Sequence, residues 1–450
     1  MKISGEGCRK VSGVIVAKFG GSSLADAGQF RKVRDIVMAD GRRRIIVPSA
    51  PGKRFDQDEK VTDLLYQCHR EHEQGVAFGQ TFDQIHARYM EITRDLRLAL
   101  DLASQLDRIE QTIENGASQA YCASRGEYLS GLLLAEYLGF PFVDAADVVL
   151  FDENGMFDSE NTNRILSEHL AELPAAVLPG FYGGDGKGGI YVFPRGGSDI
   201  TGAIAARAVR AELYENWTDV SGFLMADPRI VPDPRYIRHI TYHEMHALSS
   251  AGASVLHEDS VSPVSLAGIP TNIRNTNQPE HPGTMITGTA VHRSAFSIFA
   301  GIAGKKGFSI VVVEKEAQER SAGVCGSLVM RAARQCGLQA EFLPSSADTV
   351  CLVVDSGQYG RVKTAFEENV MQAESSCTFS VLKGVACIVL VGYGIVHNRS
   401  TVNRAYDALK ENHITVEMIN QGSGELITWV GVDDDYMDEA IRVLYREFSA

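Results

Sequence analysis

A lysine stands directly before a pair of glycines near the start of the sequence, in the segment KFGGSS at residues 18–23. The apolar residues before Lys18 predict a buried strand, and the polar residues after Gly21 predict that a helix begins there. An ammonium, exposed backbone N–H groups and the positive end of a helix together suit the phosphates of a nucleotide. An ordinary turn with a lysine that reaches into solvent fits these residues equally well, so this segment alone does not decide between the two.

The same order of strand, glycine pair and helix start recurs at residues 195–201, in the segment RGGSDIT. Ser198 or Asp199 could do no more than cap the helix that follows. Arg195 adds a planar grip on a carboxylate or a phosphate, which capping does not require. The segment SRGE at 124–127 places the carboxylate of Glu127 at a third glycine turn, which we expect to precede an apolar helix, and it is ambiguous by itself.

Two further motifs do not indicate a site. The glycines of GDGKGG at 184–189 match a dinucleotide-binding pattern, but the residues after them predict a strand where such a site needs a helix. The segment HEMH at 243–246 is one residue too short for the helical zinc motif HExxH, so its two imidazoles cannot share one helix face. We therefore expect no metal ion that is held by the protein alone.

The composition describes an acidic, globular chain. Its 450 residues are too many for one ordinary domain, and about 150 residues per domain predict about three domains. The formal net charge of −14 argues against a protein that binds nucleic acid or acidic membranes non-specifically. The eight cysteines form no CxxC pair, the first residues lack the apolar core of a secretory signal, and no apolar stretch is long enough to span a membrane. We expect a cytoplasmic protein.

The order of strand and helix patterns indicates three domains. Up to residue 290 the two patterns alternate, which is typical of an α/β sandwich around a mostly parallel sheet. The turn-rich segment 275–283 marks a boundary. Beyond it, two stretches have the pattern strand, helix, strand, strand, helix, which is the order of ferredoxin-like modules. The expected domains are residues 1–290, 295–378 and 379–450.

Taken together, these motifs resemble those of the aspartate kinase (aspartokinase) family, which has the amino-acid kinase fold. KFGGSS stands where the family carries KFGGTS, SRGE matches its S-x-G-E, and PRGGSD at 194–199 matches GRGGSD. WTDVSG at 217–222 and DPR at 227–229 match WTDVxG…DPR, and residues 416–425 are similar to a regulatory strand of the family. The resemblance covers nearly the whole chain. It implies an amino-acid kinase-like αβα sandwich followed by two ferredoxin-like modules of the ACT type.

The resemblance implies an enzyme that uses ATP, with nucleotide-bound Mg²⁺, to convert L-aspartate to 4-phospho-L-aspartate, the entry step towards lysine, threonine and methionine. Lys18, at the phosphates of ATP, and Asp199, near the metal-bound nucleotide, would be catalytic. Glu127 would bind the ammonium of aspartate. The full set of substrate-binding positions would be Ser49, Thr62, Glu127, Phe181, Arg195 and Ser198. The nucleotide-binding positions would be Lys18, Gly20, Gly21, Ser22, Thr218, Asp219, Phe223, Asp227 and Arg229.

The resemblance also implies that the C-terminal modules sense an end-product amino acid, for which lysine is the first candidate. Glu341 would meet the ammonium of the effector and Ser345 its polar ends, although a solvated charge on a strand face explains Glu341 equally well. Threonine, alone or together with lysine, is the rival effector. Modules of this kind pair across subunits through their sheet edges, which implies a homodimer or a dimer of dimers.

Two other functions stay open at this point. One is another amino-acid kinase, acting on glutamate, acetylglutamate or a nucleotide, which the SRGE and WTDVSG segments fit less well. The other is a non-catalytic amino-acid sensor that retains the fold. Lys18, Arg195 and Asp199 argue against the sensor, because the groups that phosphoryl transfer needs are all present.

Overall fold

The structure is a computed structural model that describes residues 13–194, 196–252, 258–288, 299–315, 326–342, 349–397, 400–421 and 426–449. Its helices are α1 (Ala27–Ala39), α2 (Val61–Glu73), α3 (Gly79–Leu96), α4 (Leu102–Glu114), α5 (Gln119–Leu138), α6 (Ala145–Val148), α7 (Ser159–Ala171), α8 (Gly197–Ala208), α9 (Tyr242–Ser250), α10 (Glu258–Leu266), α11 (Gly326–Gln335), α12 (Ser356–Ala373), α13 (Tyr393–His397), α14 (Thr401–Glu411) and α15 (Met437–Ser449).

Its strands are β1 (Ile15–Phe19), β2 (Arg43–Pro48), β3 (Ala176–Val177), β4 (Tyr182–Gly184), β5 (Ile190–Val192), β6 (Leu213–Thr218), β7 (His239–Thr241), β8 (Thr271–Asn275), β9 (Thr284–Thr287), β10 (Gly301–Lys315), β11 (Ala340–Phe342), β12 (Thr349–Asp355), β13 (Cys377–Val391), β14 (Val416–Asn420) and β15 (Ile427–Asp433). Among the described residues, no helix has both the length and the apolar character needed to cross a membrane.

The chain divides into two compact units. Unit 1 takes the described residues up to Phe223, then Tyr236–Tyr242 and the segment of α10, β8 and β9. Unit 2 takes Leu224–Arg235, the segment that begins at His243, and the described residues from 299 onwards. Two short stretches inside the expected first domain therefore belong to the compact body of the C-terminal modules.

Unit 1 is built on a seven-stranded sheet of the order β3-β2-β1-β6-β8-β9-β7 within the described residues. Neighbouring strands from β3 to β8 are parallel. Because side chains alternate along a strand, Ala17 and Phe19 join the core formed with α1–α5, while Lys18 points to the other face. Tyr214 of β6, on that second face, contacts α8. Helices thus lie on both faces, as in the predicted αβα sandwich.

Two local predictions in unit 1 are wrong. The segment SRGE is not a turn before a helix but lies in the middle of α5, where its glycine permits close packing. The consecutive apolar residues 148–150 predict a buried strand, but Val148 ends the short helix α6, and of these three residues only Leu150 makes an isolated bridge. In contrast, GDGKGG forms the turn between the antiparallel strands β4 and β5, and no helix follows it.

Unit 2 is built on a six-stranded sheet of the order β11-β12-β10-β13-β15-β14 within the described residues. The long strands β10 and β13 pair antiparallel along their lengths, with a register shift between Lys305 and Phe308. Beyond the shift, β10 also pairs with β12, and Val311 and Val313 enter a core with α11 and α12. Before it, Ile302 enters a core with α14 and α15.

The two modules of unit 2 are consequently nested rather than consecutive. The core under α14 and α15 contains residues from Ala386 onwards together with Ile302, which comes before every residue of the core under α11 and α12 in the sequence. The residues between them supply the core under α11 and α12. The expected boundary between residues 378 and 379 falls inside β13, because that strand serves both modules.

Candidate active site

The carboxyl ends of β1, β2 and β6 meet at one edge of the sheet in unit 1. Lys18 lies opposite Asn216 in the register of β1 and β6, and Phe19 lies opposite Pro48 of β2. Ser49 follows directly after β2, and its backbone N–H donates to Phe19 O at 3.0 Å. Parallel strands thus bring predicted phosphate-side and substrate-side residues from distant parts of the sequence to one place.

An ion pair joins Lys18 to the first turn of α8. Lys18 Nζ lies 2.5 Å from Asp199 Oδ1, and the lysine residue is only 7% exposed. Asn216 connects the two, since its Nδ2 donates to Asp199 Oδ1 at 2.7 Å and its Oδ1 accepts from Lys18 Nζ at 3.5 Å. Tyr214 Oη donates to the main-chain oxygen of Asp199 at 3.0 Å. The two predicted catalytic residues are therefore in direct contact.

The glycine loop after β1, formed by Gly20 and Gly21, packs closely beside Lys18. Gly20 N donates to Trp217 O at 2.9 Å, and a Cβ atom at Gly20 would lie 3.5 Å from Lys18 Nζ. A Cβ atom at Gly21 would lie 2.8 Å from Ala50 O, which is closer than real side chains come. The loop therefore needs glycine so that its backbone can approach the segment after β2. Ser22 lies in the short 3₁₀ turn Gly21–Leu24 that follows.

Glu127 is a buried carboxylate with unused hydrogen-bonding capacity. It is 5% exposed, and its Oε2 has no partner among the described residues. Burial raises the pKa of Glu127 to about 8, against the opposing effects of a hydrogen bond from the backbone of Ala50 and the charges of Lys18 and Arg125. Burying a carboxylate oxygen that accepts no hydrogen bond costs desolvation energy. Such an oxygen therefore indicates a position where a cationic group of a ligand can bind.

Phe181 and Ser198 are brought together by the close approach of two glycines. A Cβ atom at Gly180 would lie 2.6 Å from Ser198 Cβ, and one at Gly197 would lie 2.6 Å from Phe181 Cδ2. Phe181 has φ of 78°, a conformation that non-glycine residues rarely adopt and that concentrates at functional sites. Its N–H donates to Thr201 Oγ1 at 3.1 Å, which ties this strained residue to α8.

The remaining substrate-side positions are placed less completely. Thr62 lies in the first turn of α2, next to Val61, whose Cγ1 would be 3.5 Å from a Cβ atom at Gly126. Arg195 lies outside the described residues. Gly196, which follows it, has φ of 58° and is the N-cap of α8.

The predicted nucleotide-side residues divide between the two units. Thr218 ends β6, and its hydroxyl donates to Asp219 Oδ1 at 3.2 Å. Phe223 is buried, with its N–H donating to Thr284 Oγ1 at 2.8 Å, and all three residues lie in unit 1. Asp227 and Arg229 lie in unit 2, where they form an ion pair of 2.6 Å that is largely exposed on the arginine side. The effector residue Ser345 is outside the described residues, and Glu341 is placed only as part of β11.

Two groups that hold the site were not found by sequence reasoning. Asn216 is one polar residue within a buried strand, and its role depends on the strand order, which no local pattern reveals. Asp58 is the other: both of its oxygens accept from Arg88, at 2.7 and 2.6 Å, and Arg88 also donates to Gly52 O at 3.1 Å. The guanidinium of Arg54 holds the pKa of Asp58 below its usual range. This ion-pair network fixes the loop after β2 to α3, and Gly52 N of the same loop donates to Gly21 O of the glycine loop at 2.8 Å.

Comparisons with known proteins agree with the architecture. A model of the amino acid kinase family matches residues 13–275, and a model of the ACT domain matches residues 388–448. Two crystal structures of aspartokinase III from Escherichia coli, one with aspartate and ADP and one with lysine and aspartate, share the fold. Their TM-scores are 0.71 and 0.70 at 22% and 23% identity, over 97% and 98% of this chain and all of theirs.

Two relatives are more similar. Aspartokinase 3 of Bacillus subtilis (strain 168) is 34% identical over 454 residues, which cover 97% of this chain and 98% of that protein. The crystal structure of aspartate kinase from Clostridium acetobutylicum matches 97% of this chain and all of that chain, with 42% identity and a TM-score of 0.88. The chain therefore belongs to the aspartokinase family and is an ATP-dependent aspartate kinase.

Proposed function

We propose that the aspartate substrate binds with its ammonium at Glu127 and its side-chain carboxylate directed towards Lys18. The observation that carries this proposal is the buried Oε2 of Glu127, which lacks a partner among the described residues although Lys18 is close enough to lower the pKa of the same carboxyl. We assign Ser49, Phe181, Ser198, Arg195 and Thr62 as the other substrate contacts. The backbone of Ala50, next to Ser49, bonds to Glu127, which supports the place of Ser49 in this set. An ammonium at Glu127 would supply the missing partner.

The phosphoryl transfer then proceeds along a simple course. The side-chain carboxylate of aspartate is already ionised at neutral pH, so the nucleophile needs no deprotonation. A carboxylate oxygen forms a bond to the γ-phosphorus of ATP while the bond from that phosphorus to the β,γ-bridging oxygen breaks, and ADP leaves with the electron pair. Lys18 stabilises the negative charge on the transferring group, and Asp199 and Asn216 hold the ammonium in place.

ATP would lie at the glycine loop and the end of β6. Gly21 and Ser22 would offer backbone N–H groups to the phosphates, while Gly20, whose own N–H donates to Trp217 O, lets the loop pass close to Lys18. Thr218, Asp219 and Phe223 are the proposed nucleotide contacts of unit 1. Asp227 and Arg229 are further nucleotide positions that the family resemblance implies. The carboxylate of Asp199 is partly exposed, and a carboxylate is what a nucleotide-held Mg²⁺ takes from a protein. Asp199 therefore fits contact with such an ion, which when bound supplies positive charge to the phosphates.

The most direct test of substrate identity is ADP release with a panel of acceptors. Purified enzyme with Mg-ATP would be given L-aspartate, L-glutamate, N-acetyl-L-glutamate and D-aspartate in separate reactions. We expect release with L-aspartate alone, because Glu127 and the groups around it bind one arrangement of ammonium and carboxylates. Equal or faster release with glutamate or acetylglutamate would show that the site selects another acceptor.

We also propose feedback control through the nested modules of unit 2, with lysine as the effector and Glu341 and Ser345 as contacts. One of the Escherichia coli structures of the same fold contains lysine together with aspartate, which supports this choice. Inhibition requires lysine to bind the inactive state more tightly than the active one, and a 100-fold preference supplies about 2.7 kcal/mol per site. The same proposal includes a place at the entry to lysine, threonine and methionine synthesis and a cytoplasmic location. It also includes a homodimer or a dimer of dimers that these modules form.

The effector proposal is tested by titrating activity with lysine and with threonine, in wild type and in Glu341→Ala and Ser345→Ala. We expect lysine to inhibit wild type, and both substitutions to weaken inhibition while the uninhibited rate is retained. Lysine inhibition that neither substitution changes would place the effector elsewhere. Inhibition by threonine alone would overturn the choice of lysine, and no response to either amino acid would overturn the feedback proposal.

A further inference from the structure

Arg125 of α5 is a buried cation without a carboxylate at ion-pair distance among the described residues. The residue is 7% exposed. Its Nε and Nη2 donate to Ser124 Oγ at 3.1 and 2.9 Å, and that hydroxyl in turn donates to Tyr121 O at 2.7 Å. A buried guanidinium is costly unless its surroundings stabilise the charge, so the groups around Arg125 define what it does in the fold.

Three tyrosine rings surround this guanidinium. Its Cζ lies 4.5 Å from the centroid of Tyr121, 4.6 Å from that of Tyr128 and 5.3 Å from that of Tyr182. Tyr121 and Tyr128 are four residues before and three residues after Arg125, so α5 itself places them on the same face. Tyr182 comes from β4, and its hydroxyl donates to Asp144 Oδ1 at 2.8 Å. Cation–π attraction is strongest when the cation is desolvated, as it is here.

Tyr182 is the residue directly after Phe181, so this contact reaches the proposed aspartate pocket. The strained backbone of Phe181 is held by Thr201 Oγ1 and by close packing against Gly197 at the start of α8. Its carbonyl oxygen accepts from Phe193 N at 2.9 Å, at the end of the β4–β5 hairpin. The position of Tyr182 therefore limits where Phe181 can lie.

Glu127 is on the same helix as Arg125 but faces elsewhere, because residues two positions apart on a helix do not share a face. The turn between them is packed tightly against the loop after β2, since a Cβ atom at Gly126 would lie 2.6 Å from Ala50 Cβ. One face of α5 thus carries Glu127 at the proposed pocket, and another face carries Arg125, which contacts Tyr182 of the β4–β5 hairpin.

We propose that Arg125 is a positioning residue of the aspartate pocket, which holds Tyr182, and through it Phe181, at a fixed place relative to Glu127. The proposal rests on the proposed binding of aspartate between Glu127 and Phe181. Arg125 lies over Tyr182, which adjoins Phe181 of the proposed aspartate pocket, so its loss should act on the binding of aspartate rather than on the binding of ATP. A residue that only stabilised the fold would affect both substrates alike, or neither.

The test compares Arg125→Met, Arg125→Lys and Tyr182→Leu by steady-state kinetics with aspartate and ATP varied in turn. We expect Arg125→Met to raise the KM for aspartate about tenfold or more while the KM for ATP changes little, because small displacements of positioning groups have large kinetic effects. Arg125→Lys keeps the charge but loses the planar guanidinium, so its KM for aspartate should be intermediate. Arg34→Met is the matched control, since exposed Arg34 lies over Tyr137 of α5 at 5.4 Å outside the site.

The double variant Arg125→Met/Tyr182→Leu gives the sharpest readout. If the two side chains act as one unit, its KM for aspartate should be no worse than that of the poorer single variant. Independent, multiplying effects, or an unchanged KM for aspartate in a folded Arg125→Met or Tyr182→Leu enzyme, would overturn the positioning role. Wild type that releases no ADP with aspartate would instead overturn the proposed function, and the positioning role with it.

Discussion

Lys18 and Asp199 form an ion pair of 2.5 Å although 181 residues separate them in the sequence. The first stands at the end of β1 and the second in the opening turn of α8, and Asn216 of β6 bonds to both. A largely buried pair of this kind costs desolvation energy, which the third partner helps to offset. In the proposed mechanism this arrangement holds an ammonium where the charge of the transferring phosphoryl group would develop, and such preorganisation is a major source of catalysis.

Replacing Lys18 should therefore reduce turnover far more than stability. We expect Lys18→Met to lower kcat about 100-fold or more, which corresponds to a loss of about 3 kcal/mol of transition-state stabilisation. Rapid-quench or coupled assays of ADP release measure the change, and Lys363→Met on the exposed side of α12 is the control for loss of a lysine. A Lys18→Met enzyme with near-normal kcat would remove this residue from the chemistry.

Asn216 should act through the orientation of the pair. In Asn216→Ala the carboxylate of Asp199 loses its 2.7 Å donor and Lys18 loses an acceptor, so the ammonium can turn away from the phosphoryl group. We expect kcat to fall about tenfold, with a smaller change in KM for either substrate. Asn216→Asp should be worse, because a second carboxylate would compete for Lys18. Equal activity of Asn216→Ala and wild type would contradict this role.

The raised pKa of Glu127 predicts how aspartate binding depends on pH. The ammonium of aspartate needs the ionised carboxylate, and with a pKa of about 8 the ligand-free enzyme holds this group mostly neutral at pH 7. The KM for aspartate should fall as the pH rises from about 6.5 to about 8.5. Glu127→Gln should have a higher KM for aspartate without this slope. A wild-type KM that is constant over the range would place the ammonium elsewhere.

The same pKa has the opposite consequence for the stability of the ligand-free protein. The folded-state pKa lies above the ordinary value of 4.5, so the folded state binds the proton more tightly than the unfolded chain does. This group therefore makes the free energy of unfolding fall as the pH rises between these two values, by about 1.4 kcal/mol per pH unit. Chemical denaturation of wild type and Glu127→Gln at several pH values measures the difference, which should grow in favour of the variant towards alkaline pH.

Gly126 should be intolerant of a side chain even though it lies in the middle of a helix. Alanine is the better helix former, but its Cβ would lie 2.6 Å from Ala50 Cβ and would push apart α5 and the loop after β2. We expect Gly126→Ala to lower the free energy of unfolding by about 1–3 kcal/mol and to raise the KM for aspartate. Gly360 of α12 has open space around it, so Gly360→Ala should instead gain up to about 1 kcal/mol. Stabilisation by both substitutions would contradict the packing argument.

The family and the fold class could be predicted from the sequence because ordered motifs carry them, and both predictions are confirmed. The position of SRGE inside a helix could not be predicted, because a glycine in the sequence is compatible both with a turn and with close helix packing. Asn216 was missed because its partners come from β1 and α8. The strand order that brings them together cannot be predicted from any one segment of the sequence. Whether the C-terminal modules are consecutive or nested could not be decided from the sequence. The strands β10 and β13 each serve two modules, whereas a division into consecutive domains assigns each strand to one.

The central claim is that this site transfers phosphate to the side-chain carboxylate of L-aspartate with Lys18 at the transferring group. It is tested most directly by trapping the product with hydroxylamine and separating the β-hydroxamate of aspartate from the α-isomer by mass spectrometry. We predict that wild type with Mg-ATP and L-aspartate yields the β-hydroxamate, and that Lys18→Met yields about 1% of it or less in the same time. Formation of the α-hydroxamate, or of no hydroxamate while ATP is consumed, would contradict the account.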